Sequence, residues 1–110
     1  MKASVLALAL TAFVGLVPGA ARAQDSLTTT IKEHRFDPAE IRVPAGKRIT
    51  LTVVNDDATP EEFESRVLKV EKVIPGKSKA VVQFGPLKAG RYEFEGEFNS
   101  KTAKGVVIAE

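Results

Sequence analysis

Residues 90–98 read GRYEFEGEF, and this stretch decides the fold class. Its aromatic residues Tyr92, Phe94 and Phe98 alternate with glutamates, which is the period of a β-strand with one apolar face and one solvated face. An amphipathic helix would instead place apolar residues three and four positions apart. The stretch therefore predicts a strand of an antiparallel sheet, with the glutamates on the solvated face.

Short extended runs continue on both sides of this strand. Residues 41–43 and 49–54 are rich in β-branched residues, residues 80–84 form a further run, and residues 105–109 close the chain with apolar residues. Turn-forming residues such as those at 44–46 (PAG) separate the runs, since proline fixes φ and glycine permits positive φ. We expect about seven strands and no convincing helix, which is the pattern of an all-β sandwich.

Residues 63–74 are less regular, because charged and apolar residues are mixed there. We expect one or two edge strands over these residues, and a helix over residues 61–68 is the weaker alternative. The core is expected to come from the alternating runs. The predicted core residues are Leu51, Val53, Phe63, Val82, Phe84, Tyr92, Phe94 and Val107.

The first 23 residues have the layout of a cleavable signal peptide. Lys2 precedes an apolar run over residues 5–17, and the small residues Ala21 and Ala23 suit signal peptidase. The apolar run is too short for a convincing membrane span. We expect cleavage after Ala23, export to the periplasm without a membrane span in the mature protein, and a single domain over residues 24–110.

The composition excludes several classes of function. The chain has 16 basic and 14 acidic residues, but the signal peptide carries two of the basic ones, so the predicted mature domain is neutral. A neutral domain with few aromatic residues lacks the basic stacking surface that nucleic-acid binding uses. Because the chain has no cysteine, thiolate catalysis, thiol redox motifs and thiolate metal sites are excluded. No nucleophile or phosphate-binding motif appears, so no catalytic residue is nominated.

Three stretches together resemble the cupredoxin fold. They are residues 43–57, which hold a VPAG turn, the run ITLTVVN and two aspartates, then residues 90–94 (GRYEF) and residues 104–108 (KGVVI). The resemblance implies an antiparallel Greek-key β-sandwich. In copper-binding cupredoxins two histidines, a cysteine and an axial methionine hold the metal, and these ligands suit copper electron transfer.

None of these copper ligands is present at the corresponding positions. The first histidine position, after the Asn-Asp turn, falls on Glu61 or Glu62. The cysteine, second histidine and methionine positions fall on Gly96, Asn99 and Ala103. The chain has no cysteine anywhere, and its single methionine is the first residue. A blue-copper centre is therefore excluded on chemical grounds.

A narrower resemblance is to the cupredoxin-like proteins of the EfeO type, which are encoded with bacterial periplasmic iron-transport systems. The residues that carry it are 32–38 (KEHRFDP), 59–65 (TPEEFES), 71–76 (EKVIPG) and 96–99 (GEFN). It implies that the protein binds iron or copper in the periplasm and assists ferrous iron oxidation or delivery. The implied partner is a periplasmic iron-transport protein or a membrane permease. A histidine is common after the Gly-Glu-Phe step, where this chain has Asn99.

Oxygen donors and one imidazole remain available for a metal ion. Carboxylates suit iron and manganese, and an imidazole beside them adds affinity for Fe(II), Cu(II) or Zn(II). Glu62 and Glu64 lie two positions apart and share one face of a strand, as do Glu97 and Asn99. Three carboxylates together repel one another unless a cation lies among them. We therefore predict a site for an iron or copper ion formed by His34, Glu62, Glu64, Glu97 and Asn99.

A plainer interpretation stays open for the same residues. Glutamates that alternate with aromatic residues are typical of the solvated face of an antiparallel sheet. A single surface histidine needs no function. The alternative function is a metal-free β-sandwich module that docks a transporter or another periplasmic protein.

Overall fold

The structure is a computed structural model that describes residues 27–110. Within them lie nine β-strands and one short 3-10 helix, and most strands alternate between buried and accessible residues as the sequence period requires. The elements are β1 (Thr28–Lys32), β2 (Arg35–Asp37), β3 (Glu40–Val43), β4 (Ile49–Asn55), β5 (Glu61–Ser65), β6 (Val70–Ile74), β7 (Ser78–Phe84), β8 (Gly90–Gly96), the 3-10 helix (Glu97–Asn99) and β9 (Lys104–Ala109).

The strands form two sheets that enclose one apolar core. The first sheet has the order β2-β1-β4-β7, and the second has the order β3-β9-β8-β5-β6. The predicted all-β sandwich is confirmed. Two pairs, β1 with β4 and β3 with β9, are parallel and so depart from the purely antiparallel arrangement that the sequence led us to expect. Periodicity does not reveal them, because side chains alternate in the same way in either pairing direction.

Three phenylalanines lie at the centre of the core. Phe36 on β2, Phe63 on β5 and Phe94 on β8 make edge-to-face and stacked contacts, with ring centroids 4.7 to 5.9 Å apart. All the predicted core residues are buried except Tyr92, which is half-buried against the core and donates its hydroxyl hydrogen to the Lys88 carbonyl. Tyrosine occupies the rim because its hydroxyl needs a polar partner.

The strands expected over residues 63–74 are confirmed, but the edge position of the first of them and the extent of the aromatic alternation need correction. Residues 61–65 form strand β5 and no helix, and β5 lies inside its sheet between β6 and β8, so only β6 is an edge strand there. The alternation of aromatic residues and glutamates ends at Gly96, because the 3-10 helix starts at Glu97. Phe98 consequently leaves the apolar face of the sheet and is 51% exposed.

No helix within residues 27–110 is long and apolar enough to cross a membrane. The predicted signal peptide and the cleavage after Ala23 lie outside the residues that the structure describes. Both therefore stay predictions.

Candidate functional site

The positions that correspond to copper ligands meet in one small cluster. Glu61 begins β5, Gly96 ends β8, Asn99 ends the 3-10 helix, and Ala103 directly precedes β9. A Cβ atom on Gly96 would lie 2.6 Å from Glu61 Cδ and 2.8 Å from Ala103 Cβ. We call these four residues the Glu61 pocket, because of the two sequence-based candidates it is Glu61, and not Glu62, whose side chain points into it.

The carboxylate of Glu61 fills this pocket, and Glu61 is only 1% exposed. Its Oε1 accepts hydrogen bonds from the backbone N–H of Phe98 at 2.8 Å and from that of Glu62 at 3.0 Å. Its Oε2 accepts a hydrogen bond from Asn99 Nδ2 at 2.8 Å. A buried carboxylate is tolerated when such donors surround it. Glu61 thereby ties the start of β5 to the loop between β8 and β9.

A glycine is required at position 96 because a side chain would not fit there, and not because of the backbone conformation. Its φ of −91° and ψ of 108° are ordinary extended values that any residue adopts. A Cβ atom would nevertheless overlap the Glu61 carboxylate, with Oε2 at only 2.8 Å. Gly96 stands at the position of the copper-binding cysteine in cupredoxins. The Glu61 carboxylate occupies the space that a side chain at this position would need.

The Glu61 pocket does not fit a blue-copper ion. Its donors are a carboxylate and an amide, whereas that centre needs sulfur and imidazole ligands. Every buried side-chain nitrogen or oxygen within residues 27–110 already has a hydrogen-bond partner. The pocket is thus a closed polar cluster made by the chain itself.

Three of the predicted metal ligands lie together elsewhere. Glu62, Glu64 and Glu97 are neighbours, with Glu71, on the outer face of the five-stranded sheet, and we call these four the glutamate group. Desolvation, followed by the charges of Glu71 and Glu64, raises the pKa of Glu62. A hydrogen bond with Glu97, followed by desolvation, raises the pKa of Glu64. Repulsion between neighbouring carboxylates thus adds to desolvation and hydrogen bonding in raising both pKa values.

Asn99 has a different environment from the glutamate group. Its side chain donates to Glu61, and its backbone carbonyl accepts hydrogen bonds from the N–H groups of Ala103 at 2.8 Å and Thr102 at 3.1 Å. These contacts hold the turn after the 3-10 helix. They give Asn99 a structural role in the loop, whether or not it also binds a metal.

His34 lies in the tight turn between β1 and β2, beside Asp57. Its backbone N–H donates to Asp57 Oδ2 at 2.9 Å, and that of Glu33 donates to Asp57 Oδ1 at 2.7 Å. The ring Nδ1 of His34 lies 3.4 Å from Asp57 Oδ2, and its carbonyl accepts a hydrogen bond from Thr102 Oγ1 at 2.7 Å. The polar contacts of His34 within the described residues thus go to Asp57 and Thr102, and not to the glutamates.

Asp57 is a site residue that the sequence analysis did not single out. Burial raises its pKa, but the backbone hydrogen bonds from His34 and Glu33 and the charges of His34 and Lys77 outweigh this, so the pKa of Asp57 lies below its usual value. Its place after the Asn-Asp step that ends β4 was the only available signal. Which turn its carboxylate would reach depends on the pairing of β1 with β4, which the sequence does not show.

Within residues 27–110, no three histidine, cysteine, aspartate or glutamate side chains are arranged as ligands around one point. The grouping of His34, Glu62, Glu64, Glu97 and Asn99 as one metal site therefore stays a prediction. The glutamates are half-buried or exposed, so their carboxylates are accessible to an ion.

Comparison with known proteins finds one relative at considerable sequence identity. It is an uncharacterized protein of Rickettsia prowazekii (strain Madrid E), which is 42% identical over 79 residues. The match covers 72% of this chain and 63% of that protein. The chain thus spans less than two thirds of the length of this relative.

Solved structures of low sequence identity share the fold. A mutant of amicyanin in its Cu(I) form is 20% identical, with a TM-score of 0.63 over 80% of this chain and 85% of that one. The metal-binding domain of the Cu(I)-exporting P-type ATPase CopA of Streptococcus pneumoniae D39, solved with Cu(I), is also 20% identical. Its TM-score is 0.65 over 76% of this chain and 83% of that one.

The sequence itself matches the family described as the cupredoxin-like domain over residues 4–109. That range includes all nine strands, Asp57 with the β1–β2 turn that it holds, and the loop that closes the Glu61 pocket. The predicted cupredoxin-like fold is confirmed, and the chain belongs to the cupredoxin-like domain family.

Proposed function

We propose that this chain is a periplasmic metal-binding accessory protein of bacterial iron or copper uptake, acting as a carrier or as one partner in ferrous iron oxidation. The resemblance of residues 32–38 and 59–65 to EfeO-type proteins supports the connection with iron transport. The closed Glu61 pocket supports a mode of action that does not use a blue-copper site.

The observation that carries the proposal is the glutamate group. Glu62, Glu64, Glu71 and Glu97 lie together at the accessible surface. Desolvation and the charge of Glu71 raise the pKa of Glu62, and a hydrogen bond with Glu97 together with desolvation raises the pKa of Glu64. A divalent cation among these side chains would replace repulsion by attraction. The group therefore has the charge and the donor atoms of a cation site. Its side chains would have to move closer together to coordinate one ion, because within residues 27–110 no three of them surround one point.

The chemistry of the donors decides which ion the group prefers. Carboxylate oxygens are hard ligands, so Fe(II) and Mn(II) suit them better than Cu(I), which prefers sulfur. Ligands that must rotate into place hold an ion more weakly than a preorganised site does. Weak, rapidly exchanging binding is what a carrier needs in order to pass its ion to a permease.

The experiment is a calorimetric titration of the purified protein with Fe(II) under anaerobic conditions, and with Mn(II) and Cu(II). We expect binding of one ion, weakened by about tenfold or more in a Glu62→Gln/Glu64→Gln variant. The matched control is Glu40→Gln/Glu110→Gln, which removes two carboxylates that contact Arg42 away from the group. The control is expected to bind as the parent does.

Equal loss in the two variants would refute the glutamate group as the site, and absence of binding in the parent would refute the metal-binding function. The second candidate, a metal-free module that docks a transporter or another periplasmic protein, would then stand. The specific observation in its favour is Glu61, because its carboxylate closes the loop at the positions that correspond to copper ligands.

A further inference from the structure

A groove of about 560 Å³ crosses the outer face of the five-stranded sheet. Strand β5 pairs with β8 only at Phe63 and Glu64 and then diverges, and Ser65 Oγ donates to the Glu93 carbonyl at 2.7 Å beyond that point. From this divergence the groove runs over β8 and β9 to the edge strand β3. The charged residues that line it are Glu40, Glu64, Arg66, Glu93, Glu95 and Lys104.

The groove carries more negative than positive charge, because four carboxylates face two cations. The ion pairs of residues 27–110 join His34 to Asp57, Arg42 to Glu40 and to Glu110, and Lys77 to Asp56. Of the four groove glutamates, only Glu40 takes part in any of them. The other three leave a negative potential that attracts a basic ligand.

Three glutamates also lie opposite one another on neighbouring strands, and this arrangement is unfavourable for the stability of the sheet. Glu95 on β8 lies directly opposite Glu64 on β5, and Glu64 lies directly opposite Glu71 on β6. Like charges at directly opposite positions destabilise a sheet. Lys104 on β9 lies directly opposite Glu95 and offsets one of these charges. Both cross-strand partners of Glu64 are glutamates, however, and a positively charged occupant would balance them.

The dimensions of the groove fit an extended peptide. Four neighbouring strands about 4.8 Å apart span about 14 Å, which is the length of four to five extended residues. Alternate side chains of such a segment point to the same face about 7 Å apart. Two basic residues in a Lys-x-Lys arrangement would therefore face the carboxylates and balance an excess of two charges.

We propose that this groove docks an extended, basic segment of a partner protein, with Glu64 and Glu95 as the main contacts. The inference rests on the proposed function only for the identity of the partner, since an accessory protein of metal uptake must meet a receiving protein. It does not require that a metal is bound.

The test uses the purified protein labelled with nitrogen-15, in the presence of a chelator, and a peptide of sequence Ala-Lys-Val-Lys-Ala blocked at both ends. We expect the peptide to shift the amide resonances of Glu64, Glu93, Glu95 and Lys104, and the affinity to fall with added salt. A peptide with glutamates in place of the lysines is expected to leave the spectrum unchanged.

Two variants make the test specific. Glu64→Gln/Glu95→Gln should weaken binding of the lysine peptide by about fivefold to tenfold. The control variant Glu33→Gln/Glu110→Gln removes the same charge away from the groove and should bind as the parent does.

Shifts that map outside the groove, an equal response to the acidic peptide, or equal affinity in the two variants would overturn the proposal. So would the absence of any shift at millimolar peptide. The peptide experiment is independent of the Fe(II) titration, because the chelator removes metals. Peptide binding without Fe(II) binding would refute the metal-binding function and leave the groove proposal intact. Fe(II) binding without peptide binding would refute the groove proposal and leave the metal-binding function intact.

Discussion

Glu61 brings a charged group into the interior of the domain, and the loop between β8 and β9 depends on it. Three donors, from Phe98, Glu62 and Asn99, converge on one carboxylate that is 1% exposed. Since all three donors would lose their shared acceptor at once if the carboxylate were removed, the cost of losing it exceeds the value of any single bond.

Truncation at this position should therefore destabilise the protein strongly. We expect Glu61→Ala to lower the free energy of unfolding by about 2–5 kcal/mol, as measured by urea denaturation. The adjacent Glu62→Ala, which removes an accessible side chain of the same type, is the control and should change stability little. Similar losses for the two variants would show that Glu61 does not organise the loop.

A second residue-scale prediction concerns the contact between Gly96 and Glu61. We expect Gly96→Ala to cost about 1–3 kcal/mol, because the new Cβ overlaps the carboxylate while the backbone angles remain acceptable. If that overlap is the cause, Gly96→Ala should cost clearly less in the Glu61→Ala background. A double-mutant cycle on urea midpoints measures this, and additive effects would contradict it.

At the scale of elements, the contact between Glu64 on β5 and Glu97 on the 3-10 helix links stability to pH. The pKa of Glu64 is raised above its ordinary value of 4.5, so the folded state favours the protonated form. The favourable contribution is present below that ordinary value and is lost as the pH rises through the folded-state pKa. At neutral pH the charged form of Glu64 therefore opposes folding.

The corresponding prediction is that Glu64→Gln raises the urea midpoint at neutral pH. The gain should disappear well below pH 4.5, where the parent carboxyl is protonated as well. Glu33→Gln, at an exposed turn, serves as the control for removal of one charge. A gain that is independent of pH would assign the effect to packing and not to charge.

The strands and loops also show how much of the fold and of the candidate site could be predicted from the sequence. The alternation in residues 49–54 and 90–96 identified the strands and the core, because burial of one face imposes that period directly. The cluster of Glu61, Gly96, Asn99 and Ala103 could be located by its resemblance to ligand positions. The side chain that fills this cluster could not be predicted, because the choice between Glu61 and Glu62 depends on which of two neighbouring residues faces inward. The position of His34 beside Asp57 depends on strand pairing, which periodicity does not contain.

At the scale of the whole molecule, Asp57 joins parts of both sheets. Its carboxylate holds the β1–β2 turn of the four-stranded sheet, and the His34 carbonyl of that turn accepts from Thr102 in the loop of the five-stranded sheet. The pKa of Asp57 is lowered, so its contribution to stability is present above its ordinary value of 3.8 and is lost as the pH falls through the folded-state pKa.

We therefore expect Asp57→Asn to destabilise the protein by about 1–3 kcal/mol at neutral pH. Below the ordinary pKa of 3.8 the difference from the parent should shrink, because the parent loses its charge there. Thermal unfolding followed across this range measures it. Asp56→Asn, which alters a neighbouring and more exposed carboxylate, is the control and should leave the acid profile as in the parent.

The Glu61 carboxylate has a consequence for how the protein is made. A fold whose loop is closed by an ion gains stability that rises with the logarithm of the ion concentration, once that concentration exceeds the dissociation constant. Here the closing group is part of the polypeptide, so it is present at the same effective concentration in every copy as soon as the chain is synthesised. Closure of this loop therefore needs no metal ion, and the stability that the loop gains from Glu61 should be the same at every metal concentration.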